Sequence, residues 1–276
     1  GAVENKGSGF YRNVVKERDM ITAGIDAGSL TTKVLILNQD KIMAYEVLAT
    51  GVDIEGATQK AMDTVLERAG ISLQDIESIG STGAGKKKVP YKTVQGTEVM
   101  CDTKGALHFY PKSNGVIDIG GENCRAIKFD TEGNIVDFAL NDKCASGTGI
   151  FLDAMAKALR VKPAEMGELS LQSTEDIEVT SMCSVFAESE VVSMIHRKVP
   201  KNNILRGIHK SIASRVVGLA NRILLEGNIV IIGGIAKNIG LVTTLNELMN
   251  SELIVPEKPE VVGALGAALL ARERKG

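Results

Sequence analysis

The chain has 276 residues, of which 44% are hydrophobic and 24% are charged, and its formal net charge is −2. This composition is typical of a globular protein with a large core, and the small net charge and 4% aromatic content argue against a nucleic-acid partner or a polybasic membrane surface. No apolar run reaches the roughly 18 residues that a membrane-spanning helix needs, and no signal peptide is evident, so we expect no membrane partner, a cytoplasmic location and cysteines that are thiols or metal ligands.

Residues 1–20 are polar and typical of a leader, and three β-prone runs follow them, ITAGIDAG, SLTTKVLILN and KIMAYEVLAT. The turn between the first two runs predicts a phosphate-binding hairpin. Glycine lets the backbone approach a phosphate, hydroxyls and amides donate to its oxygens, and Asp26 can hold a magnesium ion. The alternative is an ordinary polar hairpin turn. The predicted phosphate-binding residues are Asp26, Gly28, Ser29, Thr31, Thr32 and Lys33.

The next segments predict a helix from Gly56 to Ala69 and then a strand with a glycine-rich turn, DIESIGSTGAGKKK. The text STGAGKKK lacks the spacing of a P-loop, so we reject that interpretation. The run VIDIGG repeats the logic of the first hairpin, because a buried strand delivers Asp118 beside Gly120 and Gly121. A hairpin follows in RAIKFDTEGNIVDFALND. Both halves thus begin with an apolar strand that ends in Asp-x-Gly, which indicates an internal duplication.

Two cysteines each precede a run of helical period, Cys144 in NDKCASGTG and Cys183 in SMCSVFAESE. Ser146 and Thr148 can cap the first helix. A helix N-terminus favours a thiolate because its unpaired N–H groups and positive dipole end point at the sulfur. A cubane iron–sulfur cluster takes four sulfurs, so two cysteines from each of two copies would complete the set. The alternative is that both are small buried residues, and their spacing matches no zinc site.

The C-terminal third contains the longest amphipathic run, NILRGIHKSIASRVVGLANRIL, followed by GNIVIIGGIAKN. The second run predicts a strand, a turn at Gly233 and Gly234, and a helix that begins at Asn238, an arrangement that suits one end of a nucleotide. The small residues of GALGAALLA, Gly263 to Ala271, allow close helix packing. For both glycine clusters the alternative is tight packing without a ligand.

The order DAGSxTTK, VIDIGG, IIGGIAKN and GALGAA resembles the nucleotide site of the superfamily of actin, sugar kinases and heat-shock chaperone ATPases. Within it, NDKCASGTG and CSVFAESE resemble the BadF/BadG/BcrA/BcrD ATPase family, the activators of 2-hydroxyacyl-CoA dehydratases and the ATPase subunits of benzoyl-CoA reductases. The resemblance, from Ile21 to Arg274, implies an α/β, actin-like ATPase fold. Two ribonuclease-H-like halves, 21–115 and 116–276, would hold a nucleotide cleft between them.

The resemblance also implies the ligands and partners. It implies ATP and Mg²⁺ in each chain, and one [4Fe-4S] cluster shared in a homodimer, or with a paralogous subunit, through Cys144 and Cys183. The implied activity is ATP-driven transfer of low-potential electrons from a ferredoxin or flavodoxin to an acyl-CoA dehydratase or reductase. Asp26 and Asp118 match the magnesium-binding positions. The remaining nucleotide-binding matches are Gly28, Ser29, Thr31, Thr32, Lys33, Gly120, Gly121, Gly233, Gly234 and Asn238.

Two stretches depart from the family's text. The family commonly has DIGGQD where this chain has DIGGEN, so Glu122 replaces a glutamine. We take Glu122 and Asp118 as candidate catalytic residues, and we expect Glu122 to position the attacking water. TEVMCDTKGA departs from SCHARGA-like text. For Cys101 and Cys124 we expect buried core positions.

Two other functions share these phosphate loops. One is a small-molecule, sugar-type kinase without a cluster, and the other is a nucleotide-dependent scaffold of actin type without iron. For the electron-transfer function, the nucleotide cycle could tune the potential of the cluster, or it could only gate docking of the partner.

Overall fold

The structure is a computed structural model that describes residues 20–141, 147–180 and 184–274. Nine strands and eight α-helices form within these ranges. The strands are β1 (Ile21–Ala27), β2 (Thr31–Asn38), β3 (Lys41–Ala49), β4 (Ser78–Thr82), β5 (Val94–Gln95), β6 (Gly115–Ile119), β7 (Cys124–Phe129), β8 (Ile135–Asn141) and β9 (Ile229–Ile232). The helices are α1 (Ile54–Ala69), α2 (Glu98–Phe109), α3 (Gly149–Leu159), α4 (Met166–Leu171), α5 (Ser184–His196), α6 (Lys201–Arg222), α7 (Ile239–Met249) and α8 (Val262–Glu273).

Two mixed sheets share the same construction. The first has the order β3-β2-β1-β4-β5 and the second has the order β8-β7-β6-β9. In each, an antiparallel meander of three strands is extended by a strand parallel to the first strand of the meander, β4 beside β1 and β9 beside β6. The duplication predicted from the two Asp-x-Gly strands is therefore confirmed. The central strands β1 and β6 are apolar runs because both faces of each are covered.

Helices α2 and α8 lie between the two sheets, and the other helices cover the outer faces. Helix α1 packs on β2 and β3, while α3, α5 and α6 join one large core on the outer face of the second sheet. Helix α8 packs on β1 and β4 of the first sheet, although a division of the chain at residue 116 assigns it to the second half. Among the described helices, none is at once long and apolar enough to span a bilayer.

Glycines bring the backbone of α8 against its neighbours. A Cβ at Gly24 of β1 would lie 1.8 Å from the carbonyl oxygen of Ala264, and a Cβ at Gly266 of α8 would lie 1.7 Å from the carbonyl oxygen of Cys101. Both distances are far below van der Waals contact. The close helix packing predicted from GALGAALLA is thus confirmed, and it involves α2 as well as the sheet.

Helix α2 is an element that the sequence analysis missed. It begins at Glu98, and the side chain of its N-cap, Thr97, accepts a hydrogen bond from the backbone N–H of Met100 at 3.2 Å. A threonine directly before a glutamate is the local signal that could have identified it.

Candidate nucleotide site

A cavity of about 370 Å³ lies at the carboxyl ends of β1, β4, β6 and β9. Ligands of α/β proteins commonly bind at such strand ends. Both predicted hairpin turns and the glycine turn after β9 line it, so three distant stretches of sequence meet here. The predicted residues that line the cavity are Asp26, Gly28, Ser29, Thr31, Lys33, Asp118, Gly120, Gly121, Glu122, Gly233 and Gly234.

Two predicted residues, Thr32 and Asn238, do not line this cavity. Because side chains alternate along a strand, Thr31 and Lys33 face the cavity while Thr32 points into the protein, where its hydroxyl lies 2.9 Å from that of Thr50. The side chain of Asn238 caps α7 and accepts from the backbone N–H of Leu241 at 3.0 Å. The structure therefore gives Thr32 and Asn238 structural contacts beside the cavity.

The first hairpin turn is compact and charged. Lys33 Nζ lies 2.8 Å from Asp26 Oδ2, and the backbone N–H of Gly28 donates to the carbonyl of Thr31 at 3.1 Å. Burial lowers the pKa of Lys33, but the charge and hydrogen bond of Asp26 outweigh it and raise the pKa above its ordinary value. Lys33 is therefore a cation at neutral pH, and it lines the cavity next to the backbone of Gly28.

The hairpin formed by β6 and β7, called the second hairpin below, carries a cluster of charged side chains that sequence analysis missed. Asp118 and Arg125 are direct partners in the antiparallel pair β6–β7, so their side chains share a face and form a buried ion pair. Arg125 Nη1 also lies 2.8 Å from Glu98 Oε1, and its Nε lies 3.3 Å from Asp102 Oδ2. Burial, reinforced by neighbouring carboxylates, raises the pKa of Asp102 well above its usual range. The signal available in the sequence was the short separation of the strand that ends at Asp118 from the strand that begins beside Arg125, which is typical of a hairpin.

The cavity suits a magnesium–phosphate ligand. Its buried floor holds more carboxylates than cations, and magnesium is usually held by one or two carboxylates together with phosphate oxygens and water. Asp26 and Asp118 come from equivalent strands of the two sheets and both line the floor. Among the described residues, no group of three or more His, Cys, Asp or Glu could hold a metal ion by itself. Glu260 Oε2, buried in the lining, finds no hydrogen-bond partner among the described residues.

Two backbone hydrogen bonds connect the turn of the second hairpin to the start of α3. The backbone N–H of Gly149 donates to the carbonyl of Gly120 at 3.0 Å, and the N–H of Ile150 donates to the carbonyl of Gly121 at 2.9 Å. Thr148 occupies the N-cap position, but its side chain makes no capping hydrogen bond, so the expectation that its hydroxyl caps the helix is wrong. These two amides are already paired, so the expectation that the helix offers unpaired N–H groups to a sulfur is wrong for them.

The proposed cluster ligands, Cys144 and Cys183, lie outside the described residues, as does Ser146. Helix α3 begins at Gly149 and α5 begins at Ser184, so the prediction that a helix follows each cysteine is confirmed.

Cys101 and Cys124 are buried, as predicted. Burial raises the pKa of Cys101 to about 12 and raises that of Cys124 as well. A thiol with a raised pKa is a poor nucleophile and a poor metal ligand near neutral pH. Both residues therefore belong to the core.

A buried histidine supports the turn that follows β9. His209 Nδ1 lies 2.9 Å from Ser170 Oγ, and its Nε2 lies 3.2 Å from Asn238 Nδ2. Burial, with a smaller contribution from the charge of Arg206, lowers the pKa of His209 to about 4. The neutral imidazole thus joins α4, α6 and the N-cap of α7.

We expect acid to destabilise the protein through His209. An unfolded chain binds a proton at this residue below about pH 6.5, whereas the folded chain does so only near pH 4, so stability falls as pH decreases between these values, by up to about 3 kcal/mol. Urea unfolding at pH 7 and pH 5 measures this loss. It should shrink in His209→Gln and persist in His196→Gln, which alters an exposed histidine. An equal loss in all three proteins would contradict the assignment.

Comparisons with known proteins agree with this geometry. The profile of the BadF/BadG/BcrA/BcrD ATPase family matches residues 23–271. The chain is 43% identical over 255 residues to the activator of lactoyl-CoA dehydratase from Anaerotignum propionicum, covering 92% of this chain and 98% of that protein.

Two solved structures are similar over nearly the whole chain. The activator of 2-hydroxyisocaproyl-CoA dehydratase from Clostridium difficile, solved with bound ADPNP, gives a TM-score of 0.89 at 37% identity and covers 92% of this chain and 95% of its own. Component A of the (R)-2-hydroxyglutaryl-CoA dehydratase of Acidaminococcus fermentans also gives 0.89, at 38% identity, over 92% and 98%. The chain therefore has the actin-like ATPase fold and belongs to the BadF/BadG/BcrA/BcrD ATPase family.

Proposed function

We propose that this chain is an ATP-hydrolysing iron–sulfur reductase component. It would share a [4Fe-4S] cluster with a second copy, or with a paralogous subunit, through Cys144 and Cys183. It would take electrons from a ferredoxin or flavodoxin and deliver them at low potential to an enzyme of the 2-hydroxyacyl-CoA dehydratase or benzoyl-CoA reductase type. The observation that carries this proposal is the meeting of three distant turns in one cavity, in a chain whose relatives are named as activators of such enzymes.

Each part of the cavity has a proposed role. Gly28 and Lys33, with the hydroxyls of Ser29 and Thr31, would bind phosphate oxygens of ATP, and Gly233 and Gly234 would face the nucleoside. Asp26 and Asp118 would hold Mg²⁺, which offsets phosphate charge when it is bound.

Glu122 would orient the attacking water. It is exposed where it lines the cavity, at the tip of the turn that follows β6. Phosphoryl transfer to water depends on positioning and charge stabilisation more than on covalent catalysis, so an acceptor that fixes the direction of attack is sufficient. A carboxylate at this position can accept a proton from water as well as a hydrogen bond.

The hydrogen bonds between the second hairpin and α3 support coupling of the nucleotide to Cys144. A displacement of Gly120 and Gly121 carries the first turn of α3 with it, because the amides of Gly149 and Ile150 are bonded to their carbonyls. The proposed halves, 21–115 and 116–276, would close on the nucleotide with α8 returning to the first sheet. Thiolates are the usual ligands of iron–sulfur clusters, and two per chain make a set of four in a dimer. The cluster, when bound, supplies one-electron chemistry.

Iron content and solution mass of anaerobically purified protein test the proposal. We expect about two irons per chain in a dimer. Cys144→Ala and Cys183→Ala should each lose the iron and its visible absorbance, whereas Cys101→Ala, a matched loss of a buried thiol, should keep both. A colourless, iron-free wild type would contradict the proposal. Sugar-dependent ATP consumption by such a protein would favour the kinase, and nucleotide-dependent filaments would favour the scaffold.

A further inference from the structure

One guanidinium joins α2 to the second hairpin at the floor of the cavity. Arg125 contacts Asp118 of β6 through Nη2, and it contacts Glu98 and Asp102 of α2 through Nη1 and Nε. All four residues line the cavity, and Arg125, Asp102 and Asp118 are buried. Asp102 stands in the stretch whose sequence departs from the related family. The cluster is thus a direct link between the proposed cation ligand and a helix packed between the two sheets.

The guanidinium does not satisfy its three carboxylate neighbours equally. It donates hydrogen bonds to Glu98 and Asp118, but Arg125 Nε and Asp102 Oδ2, 3.3 Å apart and both buried, find no hydrogen-bond partner among the described residues. Buried polar atoms without hydrogen bonds are costly. These two atoms are within hydrogen-bond distance but are not aligned, so a small reorientation of the guanidinium toward α2 would pair them and loosen the contact with Asp118. The observed position is therefore a compromise among three carboxyl groups.

A divalent cation at Asp118 would compete with Arg125 for this carboxylate and so weaken the Arg125–Asp118 ion pair. We propose that Arg125 is a positioning residue whose guanidinium pairs with Asp118 in the nucleotide-free protein. When Mg-nucleotide binds, Mg²⁺ replaces the guanidinium at Asp118, and the guanidinium moves onto Glu98 and Asp102. This inference rests on the proposed function, because that function assigns Asp118 to the cation. Helix α2 packs on α8, and α8 packs on the first sheet. The exchange therefore couples cation binding to the interface between the two sheets.

The Mg²⁺ requirement for nucleotide binding provides the first readout. Binding of a fluorescent, nonhydrolysable ATP analogue is measured over a series of Mg²⁺ concentrations. Arg125→Gln removes the competitor, so half-maximal binding should need about tenfold less Mg²⁺, the equivalent of one charged hydrogen bond. Lys237→Gln is the matched control, because it removes a positive charge that lines the same cavity but pairs with Glu260. Equal shifts in both variants would indicate a general effect of charge and would overturn the exchange.

Amide hydrogen exchange of α2 provides the second readout. In the wild type, Mg-nucleotide should slow exchange in the first turns of α2, because the guanidinium then engages both Glu98 and Asp102. In Arg125→Gln this response should be lost. If that variant does not fold, Arg125→Lys keeps the charge while its single ammonium cannot span the two carboxylates. It should bind nucleotide at a Mg²⁺ concentration within about twofold of the wild type and still lose the α2 response.

The two proposals fail in different ways. A variant at Arg125 whose α2 responds like that of the wild type would overturn the exchange and leave the proposed function intact. A wild-type protein that binds no nucleotide at any Mg²⁺ concentration would contradict the proposed function itself.

Discussion

Gly266→Ala is expected to destabilise the protein more than any other exchange of a glycine for alanine in α8. The added Cβ would lie 1.7 Å from the carbonyl oxygen of Cys101 and 2.5 Å from its carbonyl carbon, and both atoms belong to the backbone of α2. No side-chain rotation can relieve this clash, so α2 and α8 must separate. Overpacking of this kind costs about 3 kcal/mol or more, a large part of the 5–15 kcal/mol that stabilises an ordinary domain.

Gly218→Ala is the matched control. Gly218 lies inside α6, and nothing in the described part of the chain lies within 4 Å of a Cβ built there. The same substitution should therefore stabilise the protein by about 0.5–1 kcal/mol through the ordinary preference of helices for alanine. Urea unfolding followed by circular dichroism measures both changes. A Gly266→Ala protein as stable as the wild type would contradict the close contact of α2 with α8.

The sequence predicted the Asp-x-Gly turns after β1 and β6, which line the cavity, because their signals are local. Each buried strand is a continuous apolar run, and each ends in an aspartate followed closely by glycine, so strand, turn and charge fall within a few residues. The duplication follows from the same pattern, and the two sheets repeat it strand by strand. The small residues of α8 likewise predicted close packing, because they lack the side chains that keep helices apart.

The partners of these elements were not predictable, because tertiary structure selects them. Nothing in GALGAALLA indicates that α8 returns to the first sheet instead of joining the second. The cluster around Arg125 depends on α2, which was missed, and its carboxylates lie 27 and 23 positions away along the chain. Thr32 does not line the cavity for a simpler reason, since a motif match ignores the alternation of side chains along a strand.

Asp118→Asn is expected to lower the rate of ATP hydrolysis by about 100-fold or more, as does loss of a single preorganised charge-stabilising group in other enzymes. The amide keeps the shape of the side chain but lacks the charge that would bind Mg²⁺. The expected effect on the fold is small. Glu98 and Asp102 remain to pair with Arg125, and loss of the Asp118 charge removes one of the influences that, after burial, raise the pKa of Asp102.

Asp118→Asn should therefore lower the rate of ATP hydrolysis while leaving the free energy of unfolding almost unchanged. This combination distinguishes a role in catalysis from a role in the fold. Steady-state phosphate release gives the rate, and urea unfolding should place the free energy of unfolding within about 1 kcal/mol of the wild type. Asp63→Asn, the same exchange at an exposed position of α1, should change neither quantity. A variant that unfolds would make Asp118 primarily a structural partner of Arg125. A variant that hydrolyses ATP at the wild-type rate would contradict the proposed role of Asp118 in binding Mg²⁺.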